Sequence, residues 1–213
     1  MGSRQHGHPA SCGRSYSEIE AIAYEIRRQL APGLAMHAIL PGLSTFESLN
    51  QLTISSEGSQ VLLDYAVNEL PADIEAITIY DQSSGRIVVA LSTKTYENLE
   101  RAEPRSRFSL FHEIGHAVLH HRELRLRSKR SHTLAAALMR KNTTSHPTYQ
   151  DTEWQADAFS AALLMPAKGI RRHEKQHGEL TTQAVAALFH VSNQAAETRL
   201  AIYRKNRAAL ICA

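Results

Sequence analysis

The sequence has little cysteine and no long hydrophobic run. Its only two cysteines, Cys12 and Cys212, stand near opposite ends of 213 residues, and so distant a pair is not a disulfide framework. No window approaches the roughly 18 apolar residues that a membrane-spanning helix requires. Residues 1–14 are polar and lack the apolar core of a secretory signal. We therefore expect a cytoplasmic protein with a flexible leader over residues 1–16.

A strong charge of one sign is also absent. The formal net charge is +3 and the pI is near 9.0, which is far from the charge density of a dedicated nucleic-acid binder. Many basic residues stand close together in one segment that we expect to be exposed. They are Arg122, Arg125, Arg127, Lys129, Arg130, Arg140 and Lys141.

The first half of the chain contains the predicted strands. Apolar spacing from Ser17 to Leu30, with Glu20 three residues after Ser17, predicts an amphipathic helix that opens with a capping box. Residues 61–70 are compatible with a strand or a helix. The β-rich residues 74–80 and 86–91 flank a glycine-containing turn, so they predict an antiparallel hairpin.

The second half is predicted to be helical. From Arg105, apolar residues recur at helical spacing without an interrupting proline. A later helix begins at Asp151 or Thr152 and is ended by Pro166 and Gly169. The predicted helices after the first are residues 134–140, 152–164, 181–189 and 192–203. We expect a main domain over residues 17–170 and a helical tail over residues 171–213.

The helix predicted to begin near Arg105 carries the pattern of a metal site. In His112-Glu113-Ile114-Gly115-His116 the histidines are four residues apart, so they share a helix face and can direct both imidazoles at one ion. Glu113 suits a general base that takes a proton from an attacking water. The chain contains 12 histidines, so a chance pair is the alternative. The intervening glutamate and the apolar flanks favour a zinc peptidase.

The extended motif HExxHxxGxxH does not continue this pattern. It needs glycine and histidine where this sequence has Leu119 and Arg122, so that class of metallopeptidase is disfavoured. His120 continues the series of His112 and His116, but it stands one turn too far along to share the ion. We interpret it as a structural residue near the site.

A third metal ligand must therefore come from elsewhere, and Glu153 is the better candidate. Asp157 stands one helical turn later on the same face. It is placed to accept a hydrogen bond from the distal nitrogen of His112 or His116, which would fix the tautomer of that ring. On spacing alone, the alternative is that both acids are ordinary surface residues.

Two blocks of the sequence resemble the ImmA/IrrE family of zinc endopeptidases. They are RFSLFHEIGHAVLH at residues 107–120 and EWQADAFSAALLMP at residues 153–166. Several metallopeptidase groups share the first block, whereas the second is more specific. The resemblance covers about residues 17–203. It implies that zinc is held by three side chains and that Glu113 is the catalytic base. The implied ligands are His112, His116 and Glu153.

The resemblance also implies a fold and a partner. The fold would be α+β: a mostly helical, zincin-like (gluzincin-like) peptidase domain with a small antiparallel sheet, followed by a helix-turn-helix-like subdomain. Family members typically cleave a helix-turn-helix repressor of Xre type, which relieves repression in stress responses, mobile elements or toxin–antitoxin-like gene pairs. This chain departs from the family in its long basic segment between the blocks and in Asp157, where many relatives carry asparagine.

Other residues are candidates for substrate contacts. A transition-state oxyanion needs a hydrogen-bond donor besides the metal, and Tyr149 and His146 precede Glu153 in the sequence. A substrate strand could pair with an exposed edge of the hairpin near residues 87–90.

The C-terminal helices resemble a helix-turn-helix. Three residues occupy positions that would pack the two helices together: Ala186, Val191 and Leu200. His190 stands where the turn needs a left-handed residue. The second helix offers four polar residues to DNA, namely Asn193, Gln194, Thr198 and Arg199, whereas Glu197 would face phosphates badly. We favour a subdomain that packs on the peptidase, and docks the repressor, over a DNA-binding module.

Two alternative functions stay open. A non-proteolytic regulator could use a degenerate peptidase scaffold and bind DNA through the C-terminal helices, although all the catalytic elements are present. A toxin-like member of the family could instead act on another cellular target. The sequence indicates no oligomeric state.

Overall fold

Where the structure describes the chain, it combines helices with one four-stranded sheet, which confirms the α+β class. It is a computed structural model that describes residues 8–56, 58–128 and 146–213. In these ranges the α-helices are α1 (Tyr16–Leu30), α2 (Gly42–Glu47), α3 (Thr93–Glu100), α4 (Pro104–Leu119), α5 (His121–Ser128), α6 (Thr152–Leu164), α7 (Ala167–His177), α8 (Thr182–Phe189) and α9 (Asn193–Cys212). The strands are β1 (Thr53–Ser56), β2 (Ser59–Asn68), β3 (Ala76–Tyr80) and β4 (Ile87–Ser92). None of the described helices is long and apolar enough to cross a membrane.

Part of the basic segment lies outside the described residues. The short helix predicted over residues 134–140 falls there. So do four of the basic residues, namely Lys129, Arg130, Arg140 and Lys141. Of the other three, Arg122 is exposed, and Arg125 and Arg127 are half-buried.

The sheet has the strand order β1-β2-β4-β3. β3 and β4 form the predicted antiparallel hairpin, with Ile79 opposite Val88. β2 runs parallel to β4, with Leu63 opposite Ile87. The prediction of a wholly antiparallel sheet is therefore wrong, because the connection from β2 to β3 crosses the position that β4 then fills.

The place of β4 also changes where a substrate strand could pair. The exposed edge predicted near residues 87–90 is wrong, since β4 lies between β2 and β3 and both of its hydrogen-bonding edges are occupied. Ile87, Val89 and Ala90 are buried. Within the described ranges, β1 and β3 form the sheet edges, and β3 is hydrogen-bonded to α4 through Thr78.

Residues 8–15 pack against the residues before α6. The main-chain N–H of Ala10 donates to the carbonyl of Gln150 at 2.7 Å, and that of Arg14 donates to the carbonyl of Tyr149 at 3.0 Å. The Arg14 side chain is buried. Main-chain groups in this part of the chain therefore have partners in the fold. The flexible leader over residues 1–16 stays a prediction.

α1 begins before its predicted capping box. Ser15 is the N-cap residue: its hydroxyl accepts from the main-chain N–H of Glu18, whose carboxylate accepts from the main-chain N–H of Ser15. The predicted box of Ser17 and Glu20 is wrong, since Glu20 is buried and its carboxylate accepts a hydrogen bond from Arg199 at 2.5 Å.

α6 has its predicted bounds, with Asp151 as the N-cap residue and Leu164 as the last helical residue. Gly169 does not end this helix but lies inside α7, whose N-cap is Pro166. A Cβ at Gly169 would be 2.5 Å from the main-chain oxygen of Met36. The glycine therefore allows close approach of that segment to α7.

α8 and α9 contact each other. The three residues expected to join them are buried: Ala186, Val191 and Leu200. His190 in the turn has φ of +52°, the left-handed conformation that the pattern requires. The side chain of Arg107 donates to the carbonyl of His190. α9 extends to Cys212, past the predicted end, with a non-helical residue at Asn206.

Arg199 is the one residue of the four offered to DNA that does not face solvent. Its side chain is buried; Nη2 donates to Glu20 at 2.5 Å, and Nε donates to the carbonyl of Met165 at 2.9 Å. Because Glu20 lies opposite it on α1, Arg199 joins α9 to the rest of the fold. The other three residues offered to DNA are exposed, namely Asn193, Gln194 and Thr198.

Candidate metal centre

α4 holds three of the predicted site residues together. It begins after Glu103, whose carboxylate accepts a main-chain N–H of the first turn at 2.7 Å, and Pro104 stands where no N–H partner is needed. The helix sets His112 and His116 one turn apart, and their Nε2 atoms are 3.0 Å from each other. Candidate ligand atoms of both histidines and of Glu113 lie within 4.8 Å of one another.

Glu153 reaches the two histidines from the first turn of α6. Its Oε2 is 3.2 Å from Nε2 of His112, and its Oε1 is 3.4 Å from Nε2 of His116. With the 3.0 Å between the two nitrogens, these distances place three side chains at the corners of a donor triangle, in which each Glu153 oxygen faces a different imidazole. Tetrahedral zinc with nitrogen and oxygen ligands has donor atoms about 3.3 Å apart. The three observed spacings are therefore close to the donor spacing of a zinc site.

Two carboxylates are near enough to be the third ligand. Glu113 belongs to the group that lies within 4.8 Å, but its Oε2 accepts a hydrogen bond from the Thr78 hydroxyl at 2.7 Å. Glu153 instead directs one oxygen at each histidine. Glu153 therefore lies across both histidines and Glu113 lies beside them; their roles as metal ligand and catalytic base stay predictions.

Close packing of α4 on α6 places Glu153. A Cβ at Gly115 would lie 3.1 Å from a ring carbon of Phe159 and 3.3 Å from the Cα of Ala156. Small residues at this crossing let the two backbones approach. As a result, the first turn of α6 lies against the α4 face that carries both histidines.

Asp157 holds His112 on the side away from Glu153. The Nδ1 of His112 is 2.9 Å from Oδ1 of Asp157, so in the neutral ring Nδ1–H donates to the carboxylate and the Nε2 lone pair faces Glu153. Burial alone lowers the pKa of His112, but its hydrogen bonds to Asp157 and Glu153 raise this pKa to about 10. His112 thus binds a proton between the two carboxylates, and a divalent cation would displace that proton.

The pKa of Glu153 moves in the opposite direction. Burial by itself raises the pKa of this carboxyl, but the neighbouring imidazoles of His112 and His116 lower it well below its usual value. Glu153 therefore stays ionised, as a metal ligand must.

A second histidine holds His116. The Nδ1 atoms of His116 and His120 are 3.1 Å apart, and Nε2 of His120 is 3.1 Å from Oε1 of Gln155. His120 is 2 % exposed. Burial, and secondarily the neighbouring His116, lowers the pKa of His120 well below its usual value. His120 therefore contacts the site through His116 and not through the donor triangle.

Three residues near the site were not predicted from the sequence. Thr78, on the edge strand β3, has its hydroxyl 2.7 Å from Oε2 and 2.8 Å from the main-chain oxygen of Glu113. Gln155 accepts from Arg14 Nη1 at 2.8 Å. Only strand alternation could have marked Thr78 as inward-facing. No local pattern could connect Arg14 with Gln155, which is 141 positions away.

The two candidate oxyanion donors have other contacts. The His146 ring is mostly buried, and its Nε2 is 3.0 Å from Asp151, the N-cap residue of α6. Tyr149 is 51 % exposed, and a Cβ at Gly13 would lie 2.5 Å from its ring. Their catalytic roles stay predictions.

The arrangement has the parts of a hydrolytic metal centre, namely two imidazoles and a carboxylate as donors with a second carboxylate beside them. Residues 67–201, well over half of the chain, match the family model Peptidase_M78, described as the IrrE N-terminal-like domain. This range includes α4 and α6 but not the segment that contains Arg14. No curated protein shows a significant match to the chain.

Proposed function

Because the chain belongs to the Peptidase_M78 family, the family of the IrrE N-terminal-like domain, we propose that it is a zinc-dependent endopeptidase of the cytoplasm. The observation that carries this proposal is the triangle formed by His112, His116 and Glu153, with distances of 3.0, 3.2 and 3.4 Å between donor atoms. Zinc bound there would act as a Lewis acid and lower the pKa of a coordinated water to about 7.

Glu113 is the general base and acid of the proposed reaction. It lies beside the donor triangle and outside it, so its carboxylate can take a proton from the attacking water and deliver it to the departing amine nitrogen. The Thr78 hydroxyl, 2.7 Å from Oε2, restrains the rotation of this carboxylate. Positioning of this kind contributes to catalysis because it fixes the base before the substrate binds.

The substrate is a polypeptide that binds in extended form along β3. This strand is a sheet edge within the described ranges, and its Thr78 touches Glu113. An extended segment paired with β3 would bring a main-chain carbonyl to the site by β-augmentation. This location replaces the one near residues 87–90.

The proposed substrate is an Xre-type helix-turn-helix repressor encoded by a neighbouring gene, whose cleavage relieves repression. Support comes from the family membership and from the two sequence blocks that carry the ImmA/IrrE resemblance. DNA binding by α8 and α9 is less favoured. Arg199, the only cation among the four residues offered to DNA, is 2 % exposed and paired with Glu20.

The test is incubation of the zinc-loaded protein with that repressor, followed by mass measurement of the products. We expect two fragments that account for one cleaved bond. Glu113→Gln should keep about one equivalent of zinc and lose about 10²- to 10⁴-fold in cleavage rate. Glu97→Gln, at an exposed position on α3, is the matched control and should cleave normally.

Three results separate the parts of the proposal. A wild-type protein that folds but takes up no zinc would overturn the metal centre. A Glu113→Gln variant that cleaves at the wild-type rate would overturn the role of the base. An intact repressor, with cleavage of another neighbouring protein, would overturn only the choice of substrate.

A further inference from the structure

We propose that Arg14 is a positioning residue for His116, which it reaches through Gln155 and His120. The inference rests on the proposed metal centre, because it concerns the direction of the His116 lone pair and His116 is a proposed zinc ligand. Arg14 lies outside the range 67–201 that matches the family model. The N-terminal segment would thus be part of the metal centre's support.

The orientation of the Gln155 amide is fixed from two sides. Gln155 is fully buried. Its Nε2 donates to the carbonyls of Cys12 at 2.9 Å and Tyr149 at 2.8 Å. Carbonyls only accept hydrogen bonds, so the amide nitrogen must face them. Oε1 then faces Arg14, whose Nη1 donates to it at 2.8 Å.

This orientation determines the tautomers of both histidines. Oε1 of Gln155 can only accept, so Nε2 of His120, 3.1 Å away, must donate. A neutral imidazole has one N–H, so Nδ1 of His120 must accept. The Nδ1 of His116, 3.1 Å from it, is therefore the donor. The lone pair of His116 is left on Nε2, which lies 3.0 Å from Nε2 of His112.

Arg14 contributes a donor that cannot reverse. A guanidinium has no acceptor atom and stays charged in proteins, so a donor always meets Oε1 of Gln155 on that side. Arg14 is 4 % exposed, and no bulk solvent replaces it when it is removed. The same N-terminal segment also supplies the Cys12 carbonyl. Without the Arg14 donor, only the carbonyls of Cys12 and Tyr149 oppose a reversed amide. The opposite hydrogen-bond direction of the amide and of both rings then costs less free energy than in the wild-type protein.

The experiment measures tautomers and zinc affinity together. Two-bond proton–nitrogen correlation spectra of ¹⁵N-histidine-labelled, metal-free protein at mildly alkaline pH should show His120 protonated on Nε2 and His116 protonated on Nδ1. Arg14→Met keeps an apolar stem but removes the donor. It should give mixed tautomers and a zinc affinity lowered by about 10- to 100-fold, the effect typical of residues that orient metal ligands.

Arg28→Met is the matched control. Arg28 lies on the surface of α1, with a side chain 62 % exposed, and its replacement should change neither the tautomers nor the affinity. A folded Arg14→Met protein with wild-type tautomers and wild-type zinc affinity would overturn the proposal. If Arg14→Met does not fold, the wild-type spectrum decides: a His120 protonated on Nδ1 contradicts the derived direction.

The tautomers are measured without metal, so their outcome is independent of the proposed function. A wild-type protein with the expected tautomers but no zinc uptake would contradict the peptidase proposal and still establish the hydrogen-bond direction. Zinc uptake with the opposite tautomers would support the metal centre and overturn the proposed role of Arg14.

Discussion

Two helix pairs of this chain carry polar residues at helical spacing, and they use them differently. Where α4 crosses α6, Gly115 and Ala156 bring the backbones together, and the polar residues of the two helices meet one another. Where α9 packs against α1, Arg199 faces inward and is covered by Glu20. The first arrangement gives a partly open cluster of ligand atoms, and the second gives a buried ion pair.

The difference shows what spacing can establish. Spacing along a helix decides which residues share a face, but the neighbouring element decides whether that face stays accessible. A buried ion pair contributes little net stability, yet losing one partner is costly because the other charge is left alone. The two regions should therefore respond to mutation through different observables: metal affinity in the first and unfolding free energy in the second.

The largest expected effect is on zinc affinity in the first region. Glu153→Gln keeps the shape of the side chain and removes the charged ligand, so zinc affinity should fall by more than the roughly 100-fold typical of outer partners. Asp157→Asn keeps an acceptor for His112, so its loss should be about 10-fold or less. Competition with a chromophoric chelator measures both. If Glu153→Gln binds zinc normally and Glu113→Gln loses zinc affinity, then Glu113 is the ligand and the assignment of the two carboxylates is wrong.

The second region should show the largest loss of stability. Arg199→Met leaves Glu20 buried without its cation, and we expect the unfolding free energy to fall by about 3–5 kcal/mol. Zinc affinity of the folded protein should not change. Arg204→Met is the control, since Arg204 pairs with an exposed Glu179, and its effect should be about 0–1 kcal/mol. If a urea titration shows equal losses of unfolding free energy for Arg199→Met and Arg204→Met, the buried ion pair is no more important to stability than the exposed one.

A smaller effect is expected at the crossing of α4 and α6. Gly115→Val would push its side chain into Phe159 and Ala156, so the unfolding free energy should drop by about 1–3 kcal/mol. Zinc affinity should weaken too, because displacement of α6 moves Glu153. Gly115→Ala should lower both the unfolding free energy and the zinc affinity by less than Gly115→Val does. A Val variant that loses stability but binds zinc normally would separate the packing from the metal site.

The smallest effect should have the opposite sign. His190 has a positive φ of +52°, which costs about 1–2 kcal/mol for residues other than glycine. His190→Gly should therefore stabilise the protein by up to about 1 kcal/mol in chemical denaturation. His190→Ala keeps the strain and should give no gain. Destabilisation by glycine would mean that the exposed imidazole makes a contribution of its own.

Local patterns predicted the parts of the site that lie within one helix. His112, Glu113 and His116 follow from a spacing of four residues, and the hairpin of β3 and β4 follows from alternation around a turn. Glu153 was the better candidate from its helix position, and the family resemblance implied it as a ligand. Spacing alone could not bring it to the histidines, because its approach depends on how α6 crosses α4. That crossing depends on Gly115 and Ala156, which are 41 residues apart.

Long-range pairing limited the rest. The parallel pairing of β2 with β4 depends on a crossover that no single strand encodes, so the edge near residues 87–90 was mispredicted. Glu20 meets Arg199 across 179 positions, and Arg14 meets Gln155 across 141. Neither pair leaves a periodic trace. A helical arginine was therefore read as accessible when its partner lay on another helix.

Anomalous diffraction at the zinc absorption edge, from crystals of the zinc-loaded protein, is the most direct test of the metal centre. The expected result is one strong peak about 2.0–2.2 Å from Nε2 of His112, Nε2 of His116 and a carboxylate oxygen of Glu153. Glu113 should lie outside coordination distance. A peak coordinated by Glu113 in place of Glu153, or no peak beside the two histidines, would contradict the proposed centre.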